Sequence, residues 1–210
     1  MYITKQELDA RLNTMRAKMY EESLDALIIF SDEYRSGNST YFTNYKPINV
    51  IEESPQLITL VKDEDPVVFI GRLNAYAAQD KIPIADVRSI SEIESQIGSV
   101  FSSISNDKSR IGIIGDNLLP IKIFDSIKKV LTDVKYVECG HLLSDIRSIK
   151  SDSEIKLLSK AASINDYVLS QIVDKCEVGM TEIQIAAEAE YIGRKMGSDL
   201  GSATVIMSGP

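Results

Sequence analysis

The sequence predicts an α/β fold in which helices cover both faces of a mixed β-sheet. Short apolar runs of strand length alternate with amphipathic helical stretches over most of the first 150 residues, which is typical of a layered α/β domain. Two early runs, Leu57 to Val61 and Pro66 to Ile70, flank a polar turn and predict a hairpin, so the sheet should be mixed and not purely parallel. Hydrophobic residues make up 44% of the chain, an ordinary supply for a folded core.

The first predicted element is an amphipathic helix from Thr4 to Glu22. Thr4 and Glu7 have the spacing of a capping box, in which the two side chains satisfy backbone N–H groups at the start of a helix. Apolar side chains then recur at three- and four-residue steps, which places them on one face of the helix. This apolar stripe consists of Leu8, Leu12, Met15 and Met19.

A buried strand is predicted next, because Asp25 to Phe30 is an apolar run of strand length directly after the helix. The polar stretch from Ser31 to Thr40 contains Gly37 and Asn38 and predicts a turn. The following residues, Tyr41 to Tyr45, predict a short strand.

The remainder of the first region alternates helices and strands. The hairpin turn, Lys62 to Asp65, is acidic and is interpreted as a solvated tip. Helices are expected at Leu73 to Gln79, Ser91 to Ile104, Pro120 to Leu131 and Leu142 to Arg147, and strands at Ile84 to Val87, Arg110 to Ile114 and Val134 to Val137.

The pattern changes near Ser151, where we place a boundary between a first domain, residues 1–150, and a second region, residues 151–210. From Glu154 onward the sequence predicts two helices separated by a break at Gly179. A strand is expected from Ala203 to Met207. Because a strand after two helices has no sheet of its own to join, we expect this region to be a truncated α+β segment of a larger domain.

The composition excludes several classes of function. The formal net charge is −8 and the pI is about 4.8, so we expect no binding to nucleic acid or to anionic membranes. The apolar runs are far shorter than the ~20 residues that a membrane span needs. The start of the chain does not resemble a signal peptide, and its 2 cysteines make no disulfide framework, so we expect a cytoplasmic protein.

Few residues are of types that carry chemistry. His141 is the single histidine and has no obvious carboxylate partner, so a structural or surface role is expected. Cys139 and His141 together would need two further ligands to hold a metal ion. Gly112 and Gly115 lack the third glycine of a dinucleotide-binding turn and are interpreted as packing glycines. No catalytic or metal-binding residue is therefore predicted in this chain.

The stretch from Ser31 to Tyr45 is rich in polar and aromatic residues. Such a loop can form a recognition surface, or its aromatic residues can simply cover the core. The residue types alone slightly favour the second interpretation.

Several segments of the chain, taken in order, carry a recognisable sequence pattern. They are Arg11 to Ile29, Asn38 to Tyr45 (Asn-Ser-Thr-Tyr-Phe-Thr-Asn-Tyr), Ile146 to Ile155, Lys160 to Ala162 with Gly179 to Glu182, and Ser208-Gly209. In order and spacing they resemble the creatinase/prolidase/Xaa-Pro aminopeptidase family of metallohydrolases, whose catalytic domain has the pita-bread fold. Phe42 and Asn44 depart from the leucine and glycine of the family pattern. The junction at Ile146 to Ile155 and the Gly-Met-Thr-Glu stretch are the most specific parts.

The resemblance implies two domains: a creatinase/prolidase-type amino-terminal domain at 1–150, and the opening helices and first strand of a pita-bread catalytic domain at 151–210. In the family, two Asp, one His and two Glu bind a pair of divalent metal ions, and all lie beyond the position that matches Gly209. The resemblance therefore implies that the full-length parent is a metal-dependent Xaa-Pro dipeptidase or aminopeptidase acting on peptides. This chain would be inactive alone and would hold no metal.

The resemblance also implies a supporting role for the first domain. In the family this domain supports homodimerisation, and the loop after its first strand approaches the partner's active site and limits substrate length. The matching loop is Asp32 to Thr40, with Asp32, Glu33 and Arg35 as candidates to contact substrate ends or the loop's own neighbours. Two alternatives remain: a creatinase-like hydrolase of a small C–N (amide) substrate, and a non-catalytic binding or dimerisation module.

Overall fold

The computed structural model describes residues 3–47, 54–104, 108–199 and 204–208. The chain divides into two compact units, of which the first is Ile3–Ile149 and the second begins at Lys150. The identification of the second unit with the opening of a pita-bread domain stays a prediction.

The first unit is built on one six-stranded sheet. Its strands are β1 Ala26–Ser31, β2 Gln56–Val61, β3 Val67–Ile70, β4 Asp86–Ser89, β5 Arg110–Ile114 and β6 Lys135–Glu138. They lie in the order β4-β3-β2-β1-β5-β6. β2 pairs antiparallel with both β1 and β3, whereas the pairs β1–β5, β3–β4 and β5–β6 are parallel. The mixed sheet that the hairpin predicts is confirmed.

Helices lie on both faces of this sheet, which confirms the predicted fold class. They are α1 Lys5–Glu21, α2 Gly37–Thr43, α3 Arg72–Ala78, α4 Ile93–Val100, α5 Ile121–Val130 and α6 Gly140–Ser148. On one face, α1, α2, α3 and α6 pack against a cluster that includes Leu27 and Ile29. On the other face, α4 and α5 pack against Ile28 and Phe30. Successive residues of β1 therefore enter opposite cores, as expected of a strand that is buried on both sides.

The first helix forms as its sequence predicts. The Thr4 side chain accepts a hydrogen bond from the Glu7 backbone N–H at 3.2 Å and so caps the first turn. The apolar stripe is buried against the sheet: Leu8, Leu12, Met15 and Met19 are at most 6% exposed.

The segment between β1 and β2 differs from its prediction. Gly37 and Asn38, expected in a turn, begin α2, and Tyr41 to Tyr45, expected to form a strand, contains the end of this helix. Asn44 ends the helix in a left-handed conformation with a φ of 51° and donates its N–H to the Thr40 carbonyl at 2.8 Å. A short aromatic run has the same appearance in a helix and in a strand, so periodicity alone could not separate them.

Two further elements are displaced. The strand expected at Ile84 to Val87 lies at Asp86–Ser89, because its ladder with β3 begins where Val67 pairs with Asp86. Ile84 is buried in the core ahead of this strand. The helix expected from Ser91 to Ile104 is a 3₁₀ turn, Ile90–Glu92, followed by the shorter α4.

The two glycines of β5 and its exit are explained by close packing, which confirms their interpretation. Gly112 pairs with Leu27, and a Cβ atom there would collide with the Leu27 side chain and lie 3.1 Å from Cys139 Sγ. Gly115 has a φ of +83°, and a Cβ atom would collide with the Phe30 carbonyl oxygen. Any other residue at position 115 would be both strained and crowded.

The second unit contains the two helices that the sequence predicts, α7 Asp152–Lys175 and α8 Glu182–Lys195. Each begins with a capping box, formed by Ser151 with Glu154 and by Thr181 with Gln184. In this structure α7 has no buried residue among its described positions, and α8 has only Ile192 and Gly193.

The strand expected at Ala203 to Met207 is not formed by the part of it that the structure describes, residues 204–207; Ala203 lies outside the described residues. The next residue, Ser208, donates from its N–H and its hydroxyl to Glu182 Oε1 on α8, at 2.6 and 3.0 Å. Across the four described ranges, no helix is both long and apolar enough to cross a membrane.

Candidate functional site

The candidate loop leaves the sheet where the end of β1 lies beside the start of β2 and the end of β3. Ser31, the last residue of β1, pairs with Gln56 at the start of β2, and Gln56 pairs with Ile70 at the end of β3. The loop from Asp32 to Ser36 therefore emerges beside Ser54 and beside the first turn of α3. The ends of these strands therefore bring together residues that are far apart in the sequence.

Asp32 and Arg35 form a closed turn at the start of the loop. Asp32 Oδ1 accepts hydrogen bonds from the backbone N–H groups of Tyr34 and Arg35 at 3.0 and 2.5 Å. Asp32 Oδ2 accepts from Arg35 Nε and Nη2 at 2.9 and 2.5 Å. A carboxylate that accepts four N–H groups in this way fixes both the backbone turn and the orientation of the guanidinium.

The same contacts change the acidity of Asp32. Partial burial by itself would raise the pKa of the Asp32 carboxyl, but the hydrogen bonds and the charge of Arg35 outweigh it and hold that pKa below its usual value. The Asp32 side chain is 20% exposed and the Arg35 side chain 62% exposed. Asp32 thus serves the loop internally, whereas Arg35 presents its charge to the surface.

Glu33 points toward the rest of the domain. Its Oε2 accepts a hydrogen bond from the Ser54 backbone N–H at 3.1 Å, across 21 residues of sequence. Tyr34, by contrast, is 82% exposed. The three predicted residues are therefore brought together in one loop, but their side chains have different surroundings.

Behind Ser54 the hydrogen bonds continue into the core. The Asn74 side chain on α3 donates from Nδ2 to Ser54 Oγ at 2.8 Å, and the Tyr45 hydroxyl donates to Asn74 Oδ1 at 2.8 Å. All three residues are at most 5% exposed. Burial raises the pKa of the Tyr45 hydroxyl, which remains a donor at neutral pH.

From Tyr45 the bonds lead back to the end of β1. The Tyr45 N–H donates to Thr43 Oγ1 at 3.2 Å, and this hydroxyl donates to the Ser39 carbonyl at 2.9 Å. The Ser39 N–H then donates to Ser31 Oγ at 3.0 Å. We call this set of buried contacts the polar ring; it consists of Ser31, Ser39, Thr43, Tyr45, Ser54 and Asn74, and Glu33 contacts it at the Ser54 N–H.

Sequence reasoning missed Ser54, Asn74 and the role of the Tyr45 hydroxyl. Asn74 lies 20 residues from Ser54 and 29 from Tyr45. No local motif joins them, so only the placement of α3 beside the start of β2 reveals the contact. An asparagine on the buried face of a helix is the one signal in the sequence, because buried polar groups need partners.

The other residues considered for chemistry have structural surroundings. His141 Nε2 lies 3.9 Å from Glu22 Oε1 at the surface. Cys139 is buried and donates from Sγ to the Val137 carbonyl at 3.4 Å, and burial raises the pKa of its thiol. Within the four described ranges, no three His, Cys, Asp or Glu residues are placed to hold a metal ion.

The acidic hairpin turn is exposed at Asp63 and Asp65, and it also accepts hydrogen bonds from α1. The Tyr20 hydroxyl donates to Asp63 Oδ1 at 2.5 Å, and Arg16 Nη2 donates to the Glu64 carbonyl at 2.5 Å. Both donors belong to α1. The turn thus helps to fix α1 against the sheet.

Comparison with known proteins supports the family resemblance. The family model described as "Creatinase/Prolidase N-terminal domain" matches residues 11–149. An uncharacterized hydrolase/peptidase of Sinorhizobium fredii, y4tL, is 28% identical over 91% of this chain and 52% of its own length. A Xaa-Pro dipeptidase of Pyrococcus horikoshii is 24% identical over 91% of this chain and 50% of its own length. The chain thus spans about half the length of these curated relatives.

A solved structure shows the same fold. The X-Pro aminopeptidase of Thermotoga maritima matches with a TM-score of 0.74 at 20% identity, over 90% of this chain and 50% of that one. At this identity the likeness concerns the fold alone. It agrees with the mixed α/β architecture predicted from the sequence.

Proposed function

The chain belongs to the creatinase/prolidase amino-terminal domain family, and we propose from this membership that it is the amino-terminal portion of a metal-dependent Xaa-Pro dipeptidase or aminopeptidase. The observation that carries the proposal is the family match over residues 11–149, together with a relative named Xaa-Pro dipeptidase that aligns over 91% of the chain. The substrate would be a peptide with proline after the scissile bond. The pair of divalent metal ions would be held by residues outside the described ones.

In this proposal the chain itself is a supporting part. It contributes to a homodimer and places the loop from Asp32 to Thr40 over the partner's active site. Arg35 is the residue of this loop suited to contact a peptide carboxylate, because its guanidinium is oriented by Asp32 and is still 62% exposed. The free thiols of Cys139 and Cys176 support a cytoplasmic location.

The proposal is tested by assaying the full-length gene product and the 210-residue chain side by side, each with added Mn²⁺, Co²⁺ or Zn²⁺. The full-length protein should hydrolyse Xaa-Pro dipeptides or Xaa-Pro-Yaa tripeptides and leave a matched Xaa-Ala peptide largely uncut. The 210-residue chain should show no turnover and no stoichiometric metal. Hydrolysis by the 210-residue chain would contradict its supporting role.

The same assay separates the two alternatives. Turnover of creatine or another small C–N substrate, without Xaa-Pro cleavage, would favour a creatinase-like hydrolase. No turnover of any of these substrates by the full-length protein would favour a binding or dimerisation module. Sedimentation at increasing protein concentration measures the dimer, and a monomer across the whole range would contradict the proposed assembly.

A further inference from the structure

The three charged residues of the candidate loop divide into two kinds. Glu33 faces the Ser54 backbone and the polar ring, whereas Arg35 is largely exposed. We propose that Glu33 is a positioning residue, which ties the loop to the buried polar ring and so fixes where Arg35 is presented, and that it does not contact substrate. This inference rests on the proposed role of the loop.

The first step concerns the contact itself. Glu33 Oε2 accepts one backbone N–H, and the acceptor in such a bond need not be charged. The amide oxygen of a glutamine at position 33 would accept the same bond with the same reach. A residue that bound a cationic substrate group would need its negative charge, so the two roles differ in what glutamine can replace.

The second step concerns the rigidity of the anchor. Ser54 is 0% exposed, and its hydroxyl is held by Asn74, whose own amide oxygen is held by the Tyr45 hydroxyl. Buried polar groups of this kind keep one arrangement, because each lost hydrogen bond leaves an unsatisfied group in the core. The Ser54 N–H is therefore a fixed point, set by α3 and by the end of α2.

The third step concerns what the anchor fixes. Ser31 holds the loop on one side by accepting the Ser39 N–H, and Glu33 holds it two residues later. Asp32, between these points, carries the guanidinium of Arg35. Two fixed points on either side of Asp32 leave the turn little freedom to rotate, so the position of Arg35 follows from the polar ring.

The experiment compares Glu33→Ala and Glu33→Gln, with Asp65→Ala in the β2–β3 turn as an exposed acidic control. Amide hydrogen exchange at Tyr34, Arg35 and Ser54 is measured in the 210-residue chain. KM and kcat for an Xaa-Pro dipeptide are measured in the full-length protein. Asn74→Leu is a second variant that should loosen Ser54, because it removes the side chain that holds the Ser54 hydroxyl. Circular dichroism verifies that this variant folds.

Glu33→Ala should speed exchange of the Ser54 amide about tenfold, as expected for the loss of one hydrogen bond, while Glu33→Gln and Asp65→Ala stay within about twofold of the wild type. Asn74→Leu should change exchange in the same direction as Glu33→Ala. In the full-length protein, Glu33→Ala should raise KM several-fold more than it lowers kcat, and glutamine should restore the wild-type value.

Two results would overturn the inference: equal exchange in Glu33→Ala and the wild type, or a glutamine variant that shares the faster exchange or the raised KM of the alanine variant. If the exchange results separate as expected but KM is the same in all variants, the tether is supported and the proposed contact of the loop with substrate fails. The two proposals can therefore fail independently.

Discussion

Two capped helices of this chain, α1 and α7, have opposite degrees of burial. α1 has 17 residues and buries five of them, including its whole apolar stripe. α7 has 24 residues and in this structure buries none of those described. Its apolar side chains include Ile155, Leu158 and Leu169, which are 51%, 57% and 56% exposed. Spacing thus predicts which face of a helix is apolar, but burial also needs a surface opposite that face.

This difference predicts a large contrast between matched leucine substitutions. Leu12→Ala in α1 should destabilise the first unit by about 2–5 kcal/mol, because removing a buried leucine side chain leaves a cavity in the core. Leu158→Ala on α7 should change stability by less than about 0.5 kcal/mol, since the side chain is mostly in solvent. Urea unfolding followed by circular dichroism measures both.

Segment-resolved hydrogen exchange assigns each change to its unit. A cost for Leu158→Ala that approaches that of Leu12→Ala would show that the apolar face of α7 is covered in solution. The comparison between the two helices would then be broken.

Two glycines with positive φ, one in each unit, extend the comparison between packed and exposed positions. Gly115 and Gly179 have φ angles of +83° and +97°, but only Gly115 has neighbouring atoms where a Cβ would lie. Gly179→Ala should therefore cost about 1 kcal/mol of backbone strain, and Gly115→Ala about 2–4 kcal/mol, because crowding against the Phe30 carbonyl is added. Thermal unfolding of the two variants tests this, and equal costs would contradict the role of packing at Gly115.

A smaller effect is expected at the polar ring. Tyr45→Phe should destabilise the first unit by about 1–2 kcal/mol, because it removes the donor to Asn74 Oδ1 within the core. The control is Tyr191→Phe on α8. Tyr191 is 60% exposed, so this substitution should leave the free energy of unfolding unchanged. A Tyr45→Phe variant as stable as the wild type would show that the hydrogen bond from Tyr45 to Asn74 in the polar ring adds nothing to stability.

The smallest effect concerns pH. The pKa of Asp32 is lowered in the folded state, so the stability that this group contributes is present above its ordinary value of 3.8 and is lost as the pH falls through the lowered value. Asp32→Asn should thus cost less than about 1 kcal/mol near pH 7, given the exposure of Arg35, and the difference from the wild type should shrink below about pH 4. Unfolding curves at several pH values measure it; a difference that grows toward acid pH would contradict the assignment.

The fold was predictable where local pattern and burial agree. The stripe of α1 and the apolar run of β1 predicted elements that bury those residues. The prediction failed at Tyr41 to Tyr45, because a left-handed Asn44 and hydroxyl-to-backbone bonds favour a helix that periodicity does not reveal. It also failed at residues 204–207, which form no strand in this structure, while the following residue, Ser208, donates to Glu182.

The candidate site was predictable only as a segment. The resemblance pointed to Asp32, Glu33 and Arg35, and the structure places all three in one loop. It could not separate their surroundings, since the partner of Glu33 lies 21 residues away and the partners of Ser54 and Tyr45 meet on a helix from another part of the chain. Tertiary contacts of this kind have no local signature.

The pairing of β1 with β5 also affects how the protein folds during its synthesis. Ala26 of β1 pairs with Ile111 of β5, whereas its other neighbour, β2, lies much closer along the chain. During synthesis, β1 can therefore meet β2 and β3 first, while its opposite edge stays open until Arg110–Ile114 has left the ribosome. An open edge on so apolar a strand invites pairing with another nascent chain. A strand at the centre of the finished sheet is thus open along one edge until β5 has been synthesised.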